Sequence, residues 1–423
     1  LVASLPPGQD RSRPGTVGKP PSSLLPSLTA ALLLLTFALY QGLTTNNARD
    51  FFIYRLGAQL AARGENPYDL TRLRPHVAEA YPETDENTQE FVANCGFFLP
   101  PLAVVAFLPL AAMPTIAAKV CWAVLNAVAA FFVARLPSLS RGGGSSPPGV
   151  LAQLLAPFIL VLNPLIISVV LVGQVSLVSV GAVAAGVWCL GRGRPYLTAL
   201  LWVVPFLKPH LALPLIPLLW FLAGWRPAAV LVSLVVILNL LGATVAGGSP
   251  LFLKEYLDSL SSAHKSVGFN RVEANPRLSG WNSLLRAAGG PLIELNALTT
   301  AAGYLVWFGL VVGRVALAGV RPCVAWALAA AAVGAVLCSQ VLLYELVILT
   351  LLVPWVRDLF DGDYRLRGLL VLGLFAVLLI PWMALQRLGI SFPPSLTVVL
   401  MAVLVLVGPV GKSSAVETAR SSL

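Results

Sequence analysis

Charge is what this sequence has least of. Only 11% of its 423 residues are Asp, Glu, Lys or Arg, against 57% hydrophobic residues, and the mean hydropathy is +0.84. Soluble globular domains are about 25% charged, so that class is excluded. Short strands of alternating apolar and polar residues, the mark of a membrane barrel, are missing as well. The five cysteines (Cys95, Cys121, Cys189, Cys323, Cys338) form no CxxC pair and no Cys/His cluster, which argues against zinc. Four lie in apolar runs and Cys95 has no partner in its loop, so no disulfide is expected. No basic stretch with interleaved aromatics is present either. Nucleic acid is therefore not an expected partner, and the net charge of +10 reads first as membrane topology.

What remains is apolar sequence in long runs. Backbone amides in hydrocarbon must be satisfied internally, so runs of about 20 residues are read as helices. The expected spans are 24–43, 97–113, 115–135, 151–172, 174–191, 196–223 (kinked), 228–246, 297–319, 323–340, 341–356, 368–388 and 393–411. This is the pattern of an all-α polytopic membrane protein with about twelve transmembrane helices, bathed in membrane lipids. Residues 1–23, rich in Pro, Gly and Ser with Arg11, Arg13 and Lys19, read as a disordered cytoplasmic arm. Residues 24–411 read as a single transmembrane domain and 412–423 as a cytoplasmic tail. The run after the arm lacks a small-residue cleavage site and reads as a retained span.

With the arm inside, the loops 44–96 and 247–296 fall outside. Counting every run as a span puts Arg226, Arg321, Arg357, Arg365, Arg367, Lys412 and Arg420 inside, as the positive-inside rule asks. The same count puts Arg141, Arg192 and Arg194 outside. Either a span within 97–191 is miscounted, or those arginines face outward for a reason.

Candidate chemistry starts in NNARDFFIYRLGAQLAARGENPYDL, residues 46–70. Apolar residues at 52, 53, 56 and 60 predict a helix, with Gly64 as its C-cap and Asn66-Pro67 opening a second one. Two short helices along the membrane surface are expected. Asp50 stands in the first turn, where the helix dipole favours a carboxylate and lowers its pKa. As a dipole partner alone it needs no further role. Tyr54 and Gly57 share its face, however, offering a polar tip and then a gap for close approach. A carboxylate kept ionised at a lipid surface can act as general base toward an acceptor hydroxyl.

Glu345, in CSQVLLYELVILTLLVP, is an ionisable group in an apolar run, the alternative being an interfacial residue that reaches water. Lys208 lies beside Pro209, with His210 two residues on; buried there it needs a phosphate or an internal carboxylate. Arg314 is a similar cation, or one that snorkels. The second outer loop holds Lys265, Arg271, Arg277 and Arg286 among Asn270, Asn275, Trp281 and Asn282, a set that suits a glycan phosphate or lipid head groups. Asp361 and Asp363 have the spacing of a metal-binding DxD but lie in a short, arginine-rich loop counted inside, and read as a solvated turn. The acidic stretch 79–90 reads as exposed loop, the alternative being a calcium or magnesium site.

RDFFIYRLGAQLAARGENPYDL, FFLPPLAVVAFLPLAAMP, GQVSLVSVGAVAAG, LKPHLALPLIPLL, GWNSLLR and LLYELVIL occur in that order. On these segments the chain resembles glycosyltransferase family 87 across almost its whole length. The resemblance implies a GT-C glycosyltransferase fold with short interfacial helices in the first outer loop. It implies transfer of a hexose, commonly mannose, from a polyprenyl-phosphate sugar donor to a glycan or glycolipid acceptor, with inversion, at the outer face of the cell membrane. It places the general base at Asp50, makes Gln174 and Lys208 structural or donor-facing, and maps the late motif to Tyr344 and Glu345. Tyr54, His210, Arg271, Asn282 and Arg286 complete the expected substrate-binding set, with Lys208, Arg271 and Arg286 as cations for the donor phosphate. No cofactor and no divalent metal is expected, because phosphate departs readily once its charge is held. The alternatives are a transporter or flippase using Lys208, Arg314 and Glu345 as a path, and a non-catalytic partner in envelope assembly.

Overall fold

The computed structural model describes residues 24–44, 48–81, 86–139, 150–246, 254–259, 278–287, 297–320, 322–339, 341–361, 364–379 and 394–411. The expected arm and tail, Arg271 and Asp363 lie outside these residues, as does the side chain of Arg286. The described chain is helical almost throughout, and the β pairing among the described residues is an isolated bridge between Ser279 and Val341.

Among the described residues four helices are long and apolar enough to cross a membrane: α1 (Leu24–Thr44), Thr115–Ser138, α14 (Trp225–Val245) and Leu298–Ala318. The second of these consists of α6 (Thr115–Ala134) and the short α7 (Leu136–Leu139); the last is most of α17 (Ala297–Ala318). A fifth is the pair α8 (Val150–Val161) and α9 (Pro164–Val172), bent by 43°. The bend has a local cause. Pro164 cannot donate to the preceding turn, and Asn163 accepts from Leu165 N and Ile166 N at 2.9 and 3.1 Å to start the second half. Shorter apolar helices complete the bundle, among them α10 (Ser176–Leu190), α18 (Val324–Leu337) and α21 (Pro394–Val407).

The first loop departs from expectation. It carries three helices, α2 (Arg49–Ala62), α3 (Leu70–Ala80) and α4 (Glu86–Cys95), not two. Gly64 does follow the end of α2 with φ +74°. The cap of α3 is Asp69, which accepts from Thr71 N at 2.8 Å, while Asn66 accepts from Tyr68 N one turn earlier. Nor does α2 present one face to water: Asp50 through Ala58 are all buried. Helix α5 (Pro101–Ala112) lies along it. Arg55 donates to Leu110 O at 3.1 Å and to Met113 O at 2.7 Å, satisfying carbonyls that the end of α5 leaves open. Gly57 meets the ring of Phe97 just before α5 begins. One loop helix thus holds both ends of the 97–113 run.

Side-chain contacts fix which helix ends meet. A Cβ on Gly42, near the end of α1, would lie 4.0 Å from that of Lys119, near the start of α6, so these two helices are antiparallel. In α11 (Pro195–Leu201), Thr198 Oγ1 reaches Gly186 O at 2.9 Å, and Trp202 Nε1 just beyond reaches Val183 O at 3.1 Å, so α11 runs antiparallel to α10. At the far end of the bundle Cys323 N bonds Val410 O, Trp326 Nε1 bonds Val405 O, and Arg314 caps α21 through Leu406 O and Gly408 O. Arg357, on α19 (Val353–Asp361), bonds Pro137 O.

One end therefore gathers the close of α1, the start of α6 and the α9–α10 junction. The other gathers Arg135, Arg192, Arg194, Arg357 and Arg367, the last bonded to Val407 O at 3.0 Å. The arginine conflict in the simple count comes from 97–113, which packs on α2 instead of adding a crossing. The 196–223 run is likewise broken, into α11, a 3-10 turn at Val204–Leu207, α12 (Pro209–Ala212) and α13 (Leu215–Ala223), with prolines at 205, 209 and 214.

Candidate active site

Two side-chain clusters meet at the end where α1 closes. The first is built on Asp50. Its helix starts from Ala48, which offers no side-chain cap. The neighbouring chain arrives at Gly173, which ends α9 with φ +79°. A Cβ there would lie 2.9 Å from Phe51 Cβ and 3.0 Å from Phe51 N, so only glycine allows α9 to close against the first turn of α2. The next residue, Gln174, is thereby delivered to Asp50. Its Nε2 donates to Asp50 Oδ2 and, at 3.1 Å, to the Tyr344 hydroxyl; its Oε1 accepts from Tyr54 OH at 2.8 Å.

The second cluster is an ion pair. The 3-10 turn and Pro209 break the apolar run and release Lys208 from helical geometry. Lys208 Nζ lies 2.5 Å from Glu345 Oε1, with both side chains 7% exposed. Glu345 opens the 3-10 helix Leu343–Leu352, and its Oε2 accepts from Leu342 N at 2.8 Å. His210 Nε2 stands 3.6 Å from Oε1, too far for a hydrogen bond. Lys208 Nζ also sits 5.3 Å from the centroid of the Tyr344 ring, so Tyr344 joins the two clusters.

Burial decides the state of Asp50. It is 8% exposed, and desolvation pushes its pKa up to about 7 from 3.8. The charge of Lys208, the Gln174 hydrogen bond and Arg49 pull it down, while Glu345 adds to the rise. The expectation that the helix dipole lowers this pKa is overturned, because loss of water outweighs a partial charge. The expected gap at Gly57 is also filled: a Cβ there would lie 2.2 Å from the Phe97 ring.

The structure thus brings together Asp50, Tyr54, Gln174, Lys208, His210, Tyr344 and Glu345. Asn282 is buried at the start of α16 (Trp281–Ala287), three residues beyond the Ser279–Val341 bridge that ties this segment to the one carrying Tyr344. Leu342 N, which donates to Glu345, is a member that sequence reasoning missed. Arg314 is a helix cap at the far end of the bundle and no part of the site. Among the described residues no three His, Cys, Asp or Glu side chains come together as a metal site.

Residues 97–344 match the model of Glycosyltransferase family 87. No curated protein and no solved structure matches the chain. The matched span contains Gln174, Lys208, His210, Asn282 and Tyr344, while Asp50 and Glu345 fall outside it. Because the match covers more than half of the sequence, this helical membrane protein belongs to glycosyltransferase family 87 and is a glycosyltransferase.

Proposed function

We propose that the chain transfers a hexose, mannose in the first instance, from a polyprenyl-phosphate donor to a glycan or glycolipid acceptor, within a GT-C-type fold at the outer face of the cell membrane. One observation carries the reading. Asp50 is a buried carboxylate whose Oδ2 is held by Gln174 and whose Oδ1 has no partner among the described residues. A base held in place on one oxygen and open on the other, with a pKa of about 7, is matched to removing a proton near neutrality.

In the step proposed, Oδ1 takes the acceptor hydroxyl proton as that oxygen attacks the anomeric carbon. The carbon–oxygen bond to phosphate breaks, the phosphate leaves with the electron pair, and attack from the opposite face inverts the centre. Lys208 is already paired with Glu345, so its contribution is positive potential beside Asp50, not a free ammonium for the donor. Arg271 and Arg286 are the cations assigned to the donor phosphate. The orientation is supported by the arginines gathered at the opposite end, which the positive-inside rule assigns to the cytoplasm.

The test is Asp50→Asn in purified protein, with transfer and donor binding measured separately. The expected outcome is a loss of transfer of about 10²- to 10⁴-fold with donor binding kept. Full transfer activity in this variant would refute the assignment.

A further inference from the structure

We propose that Gln174 is a positioning residue that sets the direction of the hydrogen bonds around Asp50, and that this leaves the Tyr344 hydroxyl as the donor to an oxygen of the departing phosphate. The inference rests on the reading of Asp50 as the base.

A carboxamide has two N–H donors and one acceptor oxygen. Both donors of Gln174 are spent, one on Asp50 Oδ2 and one on Tyr344 OH, and its oxygen takes the proton of Tyr54. Gln174 is 5% exposed and has no donor left to offer a substrate. With Asp50 ionised, as a base must be, the amide cannot turn over, since that would set its oxygen against the carboxylate. The direction of the network follows. Tyr54 must donate inward, so its proton is committed. Tyr344 must accept, so its own proton is not used within the network.

No described residue accepts that proton. Tyr344 is half-buried, whereas Tyr54 and Gln174 are buried. Two reacting oxygens are available to it. A hydrogen bond to the attacking oxygen would oppose its attack. A hydrogen bond to the departing phosphate oxygen strengthens as negative charge develops there, which is where a fixed donor lowers the barrier. No proton transfer from Tyr344 is invoked; the hydrogen stays on the phenol.

The experiment compares Tyr344→Phe, Tyr54→Phe, Gln174→Glu and Asp50→Asn with the wild type as full-length purified chains. Labelled polyprenyl-phosphate mannose is the donor and an octyl mannoside the acceptor, from pH 5.5 to 9. Y344F removes one oxygen and keeps the ring. It is expected to lower kcat/KM by about 10- to 100-fold, through kcat and not KM, with an unmoved pH midpoint. Q174E replaces the donor to Asp50 by an acid and is expected to move the midpoint to higher pH. Y54F, which removes only a bond to Gln174, is expected to cost less than about tenfold.

A Y344F loss of less than about threefold, or one accompanied by a shifted midpoint, overturns the role of Tyr344. An unshifted Q174E midpoint overturns the positioning role of Gln174, and if Q174E does not fold, Y344F decides alone. An inactive D50N beside a wild-type Y344F sinks this inference only, whereas an active D50N sinks the base assignment on which it rests.

Discussion

The first-loop helix α2 and the 3-10 helix Leu343–Leu352 each bury one carboxylate, and they treat it in opposite ways. Glu345 has Lys208 at 2.5 Å, a backbone N–H at 2.8 Å and His210 at 3.6 Å. Asp50 has one amide. Their exposures are nearly equal, at 5% and 8%, so burial alone does not separate them. The number and charge of partners does. A carboxylate with a cation and an N–H is spent on structure. One with a single neutral donor, desolvated, keeps the basicity that a proton transfer needs. On the function proposed, the late acid builds the site and the early one acts in it.

The strongest way to break this comparison is to unpair the late acid. Glu345→Gln leaves Lys208 buried without a counter-charge and is expected to destabilise the protein by about 3–5 kcal/mol, with Lys208→Met/Glu345→Gln recovering most of the loss. Thermal melts in detergent check this, and an E345Q protein as stable as the wild type would show that the pair is not structural. A smaller effect is expected on the other side. Gly57→Ala drives a methyl to 2.2 Å from the Phe97 ring and should cost about 1–3 kcal/mol by moving α5 against α2. Activity should fall with it, because Asp50 is on the same helix.

The most discriminating effect depends on pH. The folded pKa of Asp50, about 7, lies above its ordinary 3.8, so the folded state holds a proton that the unfolded chain has released. That contribution is fully present below about pH 4 and is lost as pH rises through 7. Asp50→Asn cannot ionise. At pH 8 it should therefore melt about 2–4 °C above the wild type while being inactive, with the difference vanishing near pH 4. A variant that melts lower at pH 8 would mean that Asp50 is held as a structural anion, like Glu345.

Much of the bundle is legible in the sequence, because runs that must satisfy their own amides in lipid have one solution. The helix Arg49–Ala62, its Gly64 stop and the acid in its first turn follow from spacing and capping. What spacing does not reveal is burial all round. Apolar residues at 52, 53, 56 and 60 suggest one wet face, but Arg55 and Gln59 are spent on the carbonyls of α5. Gln174 is named by the family resemblance, but its place in the fold is not legible from the runs. A count in which every apolar run crosses puts it at the wrong end, away from Asp50, since a run such as 97–113 does not announce that a loop helix holds both its ends. The signal was present in Arg192 and Arg194, which that count places on the wrong side. The Gly173-Gln174 pair then has a physical reason: the glycine admits the first turn of α2, and the glutamine reaches its carboxylate.

The central claim, that Asp50 is the base, is tested most directly by the pH dependence of kcat/KM for transfer by the wild type. The account predicts a rise of about tenfold per pH unit below a midpoint close to 7, as Asp50 loses its proton, and then a plateau. A profile flat from pH 5.5 to 9 would contradict it.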